Sequence, residues 1–237
     1  RAIQFGDGAY EWIRIHHGHS FGLSYHTDRL YRSMRLLGIR PVTAPDEFTE
    51  IVEVVVEESE IEEGYVKIIV TRGSDDHNFT IPARSALQPN VLVYGKPIDL
   101  NAIEKVQSGV NCITLDDDRG HHCDILSLNQ LNNMMARAEA QKKNCYDAVF
   151  IKDGLLTEAS HSNVCIVKAG VIWTPATNEH MIRGVTRSLV LTRAAPSAGV
   201  TSIDEASEPV RFEDMMTAEE VFLTNSQDGI IPVLSID

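Results

Sequence analysis

The chain has 237 residues, 43% of them apolar and 23% charged, a balance that supports one large or two modest globular domains with buried cores. A formal net charge of −13 argues against a nucleic-acid or anionic-membrane surface as the main partner, because both need a basic patch. No apolar run approaches the roughly 18 residues that a membrane-spanning helix needs. Residues 9–15 (AYEWIRI) alternate loosely and predict a strand entering a turn at His17-Gly18. His26 to Leu37 puts Leu30, Met34 and Leu37 on one face and predicts a helix. Residues 44–59 repeat that pattern with Phe48, Ile51, Val52 and Val55, with Thr43 as a cap and Pro45 in the first turn. YVKIIVTR (65–72) and NVLVY (90–94) are rich in β-branched residues and predict strands.

The Gly95-Lys96-Pro97 break predicts a domain boundary within residues 88–105. A strand at 109–115 follows, then a helix from Leu128 to about Lys143. Leu128, Leu131, Met135 and Ala138 form its predicted apolar stripe, and Ser127 with Gln130 has capping-box spacing. Further strands are predicted at 148–151, 163–167, 171–173 and 220–223, and a helix near Thr186. The mixture predicts two α/β lobes with a cleft between them, a common place for a cofactor. Cys112, Cys123, Cys145 and Cys165 form no Cys-x-x-Cys pair and read as reduced thiols of a cytoplasmic protein. Asn78-Phe79-Thr80 fits a glycosylation acceptor, but such triplets are common by chance.

Read residue by residue, the chemical hints are modest. Phe5-Gly6-Asp7-Gly8 lacks the spacing of a dinucleotide or P-loop fingerprint and reads as a turn between strands. His16-His17-x-His19 and His121-His122-Cys123 lack convincing metal-site spacing and read as ordinary turn and strand residues; no metal is expected. Gly184-Val185-Thr186-Arg187 is a glycine turn running into a helix, equally suited to a phosphate or to simple capping.

The motifs carry more weight together. FGDGAYE (5–11), HTDRLYRS (26–33), VTRG (70–73), CDILSLNQLNNMMARAEA (123–140), CYDAVF (145–150), TEASHSNV (157–164), IRGVTR (182–187) and FLTNSQDGIIPV (222–233) follow in order along nearly the whole chain. This series resembles the fold-type-IV, or class IV, pyridoxal-phosphate (PLP) aminotransferases, most of all those acting on D-amino acids such as D-alanine. The resemblance implies an α/β (α+β) protein with a smaller N-terminal domain, 1–95, and a larger C-terminal domain, 96–237, built on a barrel-like sheet, with PLP at their interface. It also implies a homodimer, and about twenty further residues ahead of Arg1 with a shorter piece after Asp237.

By the same resemblance, Arg29 grips the cofactor phosphate with a fork suited to its oxygens. Val185, Thr186 and Ser226 add N–H and hydroxyl donors, Glu158 faces the ring nitrogen, and Ile182 packs on the ring. A carboxylate there keeps the pyridinium protonated and the ring an electron sink. Tyr10 stands beside the substrate in binding and catalysis, with Ser160, His161 and Ser162 around the rim. The implied reaction moves an amino group between an amino acid, expected to be of D configuration, and a 2-oxo acid.

Two positions depart from the family pattern. The Schiff-base lysine is expected immediately before Ser-Leu-Asn, where this chain has Leu126, and leucine has no amine. Lys67, Lys142 and Lys143 lie on other predicted elements. Leu126 reads in three ways: a replacement that leaves slow or no turnover, a PLP-binding relative without catalysis, or a cofactor-carrying lysine written as leucine. The intact remainder of the site favours the last. At the positions where D-amino-acid aminotransferases trap the substrate carboxylate, the chain has His77 and Phe79, and Phe79 cannot donate a hydrogen bond. A branched-chain or amine substrate range, or aminodeoxychorismate lyase chemistry on the same fold, therefore stands as the alternative.

Overall fold

The computed structural model describes residues 1–75, 79–81, 83, 87–203 and 209–237. Contacts divide the chain into two units: Arg1–Asp99 with Ile125–Gln130, and Leu100–Asp124 with Leu131–Asp237.

The first unit opens with a short helix, α1 (Ala2–Phe5), whose C-cap Gly6 is left-handed at φ 61°. Phe5-Gly6-Asp7-Gly8 is thus a helix-to-strand turn, not the expected turn between strands. Strands β1 (Gly8–His16), β2 (His19–Ser20), β3 (Glu63–Thr71) and β4 (Asn90–Pro97) form an antiparallel sheet in the order β2-β1-β3-β4. Helices α2 (Leu23–Leu37) and α3 (Pro45–Glu58) belong to the same unit. Strand alternation sends Ile13, Ile15, Val66, Ile68 and Val70 into a core with Leu30, Met34, Phe48 and Val52 of the helices. Tyr10, Trp12 and Lys67 project from the opposite face.

Three local expectations are corrected here. Thr43 does not cap α3: the N-cap is Ala44, whose N–H reaches Glu47 Oε2 at 3.3 Å, with Pro45 opening the helix as expected. Ile51 is exposed and Val56 takes its place in the core. Gly95-Lys96-Pro97 is no break, because β4 runs through it, paired to Gly64, Tyr65 and Val66. A Cβ on residue 95 would stand 2.6 Å from Ile61 Cδ1, so a larger residue there would displace that side chain.

The second unit contains α4 (Leu100–Gln107), β5 (Val110–Asp116), α5 (Leu131–Lys142), β6 (Asp147–Lys152), β7 (Leu155–Ala159), β8 (Asn163–Lys168) and β9 (Val171–Trp173). Then come α6 (Val185–Leu189), a π-helical turn (Val190–Ala194), α7 (Ala195–Ser197), β10 (Thr201–Ile203), α8 (Phe212–Met216), β11 (Glu220–Asn225) and β12 (Gly229–Ile236). The eight strands form one mixed sheet, β10-β9-β8-β11-β12-β5-β6-β7. β7 is an edge strand and β8 an interior one, yet a three-residue turn, Ser160–Ser162, joins them. The sheet must therefore curl, which agrees with the barrel-like sheet expected.

Helix α5 starts at Leu131, three residues later than predicted. Ser127 Oγ accepts from Asn129 N–H at 3.2 Å, so Ser127 and Gln130 make a turn ahead of the helix and no capping box. The predicted stripe is also wrong. Ala136 and Ala140 are buried, among Ile113, Ala148 and Phe150, while Leu131 and Met135 are exposed.

Candidate active site

In the first unit the chemistry gathers on β1 and α2. Glu11 sits on the core side of β1, fully buried. Its carboxylate accepts from Arg29 Nε at 2.7 Å and Nη2 at 2.8 Å, and lies 2.7 Å from His26 Nδ1. Burial pushes the Glu11 carboxyl upward, but the Arg29 charge and the hydrogen bonds from Arg29 and His26 outweigh it and hold the pKa below its ordinary range. The expected phosphate arginine is thus fixed from behind, at one edge of its fork.

At the edge of the same sheet, Ile125–Gln130 runs beside the start of β1. Tyr10 N–H donates to Leu126 O at 3.0 Å, Leu128 N–H donates to Gly8 O at 3.0 Å, and Ala9 bridges Ser127. This antiparallel register sets Leu126 opposite Tyr10. The ammonium of Lys67, from β3, lies 5.1 Å from the Tyr10 ring centroid and 4.7 Å from that of Trp12. Phe79, one of the two carboxylate-trap positions, is exposed and meets Phe5 edge-on. His77, the other, lies outside the described residues, as does Asn78 of the glycosylation triplet.

In the second unit Glu158 is the penultimate residue of β7 and is buried. Its Oε1 accepts from Arg119 Nη1 at 2.7 Å and its Oε2 from Ile182 N–H at 2.9 Å. Arg119 also grips Asp117 through Nε and Nη2, both at 2.9 Å, and lies over the Phe150 ring. Burial pushes the Glu158 carboxyl up to about 7, against the pull of Arg119. A carboxylate poised near neutrality suits a partner that is itself a protonated ring nitrogen.

Nearby, Asp147 is fully buried at the start of β6. It accepts from Ser160 Oγ, from Ser160 N–H at 3.1 Å and from Ser162 Oγ at 3.1 Å. Asn225 Nδ2 donates to Ser162 Oγ at 3.2 Å, and the Asn225 carbonyl accepts from Thr186 Oγ1 at 2.9 Å. One network therefore links Ser160, Ser162 and Thr186. Ser226 follows Asn225 in a half-buried turn, and Val185 opens α6 behind the N-cap Gly184. His161 points outward, its Nε2 3.2 Å from Gln227 Oε1, apart from the buried serines.

Sequence reasoning missed Glu11, Arg119, Asp147 and Asn225. Glu11 and Asp147 left a signal, a lone acid on the apolar face of a strand. Arg119 lies in an acidic loop that reads as solvated, and Asn225 in a polar turn. The histidines of both clusters are exposed: His16 Nδ1 lies 2.8 Å from Glu63 Oε1, an oxygen that also accepts His17 N–H, and the ligand atoms of His16, His17 and Glu63, like those of His121, Glu179 and His180, lie within 4.8 Å of one another.

The family model for class IV amino-transferases matches residues 8–236. The D-alanine aminotransferase of Bacillus licheniformis is 37% identical over 237 residues, covering the whole of this chain and 81% of the relative. That of Listeria monocytogenes is 34% identical over 238 residues, again covering 81% of the relative. Among solved structures, the branched-chain aminotransferase of Thermoproteus uzoniensis superposes with a TM-score of 0.88 at 25% identity, covering the whole of this chain and 80% of that one.

Proposed function

Because the chain belongs to the class IV aminotransferases, we propose that it binds pyridoxal 5′-phosphate and moves an amino group between a D-amino acid and a 2-oxo acid. The observation that carries this reading is Glu158, a buried carboxylate near neutrality, held by Arg119 and Ile182 N–H. When bound, the cofactor supplies an electron-accepting ring and an aldehyde that carries the amino group. Glu158 would hold the proton on the ring nitrogen. Arg29, oriented by Glu11, would take the phosphate together with Thr186, Ser226 and the N–H of Val185. Ile182 would face the ring, Tyr10 the substrate, and Ser160, His161 and Ser162 the rim.

The donor set fits the ring and the phosphate but not the aldehyde. Leu126 can neither anchor the cofactor nor carry a proton to or from the substrate carbon, so turnover should fall by about 10²–10⁴-fold, the usual worth of a positioned acid–base group. We also read the protein as cytoplasmic, on its four free thiols, and as a homodimer, on the exposed apolar face of α5. Among the described residues no helix is long and apolar enough to cross a membrane.

The test is an absorbance titration with PLP, followed by a panel of D- and L-amino acids with pyruvate or 2-oxoglutarate, run on this chain and on L126K. Both proteins should bind PLP, D-donors should be preferred, and L126K should be faster by about 10²–10⁴-fold. Borohydride reduction should leave a pyridoxyl group on residue 126 of L126K. Cofactor binding without a half-reaction in either protein would mark a binding relative. Keto-acid-independent release of pyruvate from aminodeoxychorismate would mark the lyase, and rapid turnover with a verified Leu126 would refute the lysine argument.

A further inference from the structure

Histidine is an unusual choice for the tight turn between β1 and β2. His17 and Gly18 both have positive φ, 49° and 72°, and His16 pairs with His19 across them. A two-residue hairpin of this kind favours Asn-Gly or Asp-Gly, because few other residues enter the left-handed region cheaply. The chain instead places an imidazole there, directly after another one. The two rings lie 4.1 Å apart, inclined by 41°.

A third group comes from a distant part of the sequence. Glu63 opens β3 and stands opposite His16 in the sheet register, so the two side chains leave from one face. Glu63 Oε1 lies 2.8 Å from His16 Nδ1 and 3.6 Å from His17 Nδ1, and accepts the His17 N–H at 3.1 Å. Its other oxygen accepts from Arg14, whose Nη1 also donates to Gly64 O at 2.9 Å. The carboxylate is thus fixed from behind, with one oxygen left to the histidines. Partners of this kind orient the carboxylate ligands of metals. Glu62 adds a second acid close by: a Cβ on Gly18 would stand 3.7 Å from its Oε2.

We propose that His16, His17 and Glu63 bind a divalent transition metal of the zinc type at the β1–β2 turn. Two imidazoles and a carboxylate are donors that zinc takes at about 2.0–2.2 Å. Tetrahedral ligands at that distance stand about 3.4 Å apart, and the nitrogens at 2.8 and 3.6 Å from Oε1 bracket this spacing. All three ligand atoms lie within 4.8 Å of one another, so small rotations of two exposed histidines bring them onto one ion. The ion takes the place of the proton between His16 Nδ1 and Glu63 Oε1, which leaves to solvent. His19, opposite His16 on the same face, or a water takes the fourth position. Calcium and magnesium, which want oxygen donors, find one carboxylate here and should not compete. Spacing along the chain hides the site, because the carboxylate comes 46 residues after His17. The bound ion ties the turn to the head of β3 and stabilises the folded chain, since the unfolded chain holds no such site.

The experiment strips the full chain with a chelator, dialyses it and titrates it with zinc chloride by calorimetry. A H121Q background breaks the other histidine–glutamate group, where Glu179 Oε1 lies 3.9 Å from His180 Nε2. One zinc should bind with micromolar affinity. H17N suits the left-handed turn and should keep the metal-free fold, yet it should weaken zinc binding by about tenfold or more, as should E63Q. Zinc should raise the melting temperature of the parent and not that of H17N. Cobalt(II) should give visible d–d bands without the near-ultraviolet thiolate band that Cys123 or Cys145 would add. No zinc binding, equal affinity with and without H17N, or a thiolate band would overturn the proposal. Should E63Q fail to fold, H17N alone decides.

Discussion

Glu158 shows how a single residue ties function to stability. Its folded pKa of about 7 stands above the ordinary 4.5, so the folded chain holds this proton more tightly than the unfolded chain does. Stability from this group is fully present below pH 4.5 and is lost as pH rises through 7. The loss reaches roughly 3 kcal/mol when complete. E158Q removes the titration and keeps the shape. Without cofactor, E158Q should therefore melt higher than the parent at pH 8, with the difference gone by pH 4, while its affinity for PLP falls. Thermal melts at the two pH values decide it. A lower melting point for E158Q at pH 8 would mean that the attraction of Arg119 outweighs burial, and the assignment of Glu158 as a poised ring partner would lose its physical basis.

At the scale of elements, most strands and helices were legible because their apolar residues recur at the expected period, as in β1, β3 and α2. The failures have specific causes. β4 crosses Gly95 and Pro97 because an edge strand tolerates a proline and because the Ile61 side chain packs close over the glycine. β7 and β12 escaped prediction, since LLTEA and GIIPVLSI mix turn formers or acids into short apolar runs. The candidate site was assigned mainly through motifs: Glu158, Thr186 and Arg29 are proposed by family position, whereas Arg119 and Asn225 are tied to it through neighbours distant in sequence. The junction into α6 gives a sharper test. A Cβ on Gly184 would stand 1.9 Å from Asn163 Oδ1, while Asn163 Nδ2 donates to Ile182 O at 2.8 Å and lies 3.4 Å from Glu158 Oε2. G184A should thus push Asn163 aside, lowering stability by about 1–3 kcal/mol and weakening PLP binding with it. Urea denaturation and a PLP titration would show the two losses together; an unchanged protein would mean that Asn163 relaxes freely and does not position the loop.

For the whole molecule, the unexpected side of α5 becomes informative. Leu131, Met134 and Met135 are 69%, 67% and 56% exposed, and their i, i+3, i+4 spacing makes one apolar face. The same helix spends only small alanines on its own core, at Ala136 and Ala140. Large apolar groups outside and small ones inside is the reverse of what a solitary helix on a monomer needs, and it fits a face covered by a second copy. With a net charge of −13 on each chain, two copies would repel over long range, so a contact through this face would have to be held by apolar burial. Salt screens the repulsion and leaves the burial intact, so added salt should tighten the association and not dissolve it. Sedimentation at micromolar concentration should find a dimer whose dissociation constant falls from low to high salt, and the double variant L131E/M135E should run as a monomer with an unchanged far-ultraviolet spectrum. A monomeric parent, or a dimer indifferent to both glutamates, would show that α5 is not the surface that joins the copies.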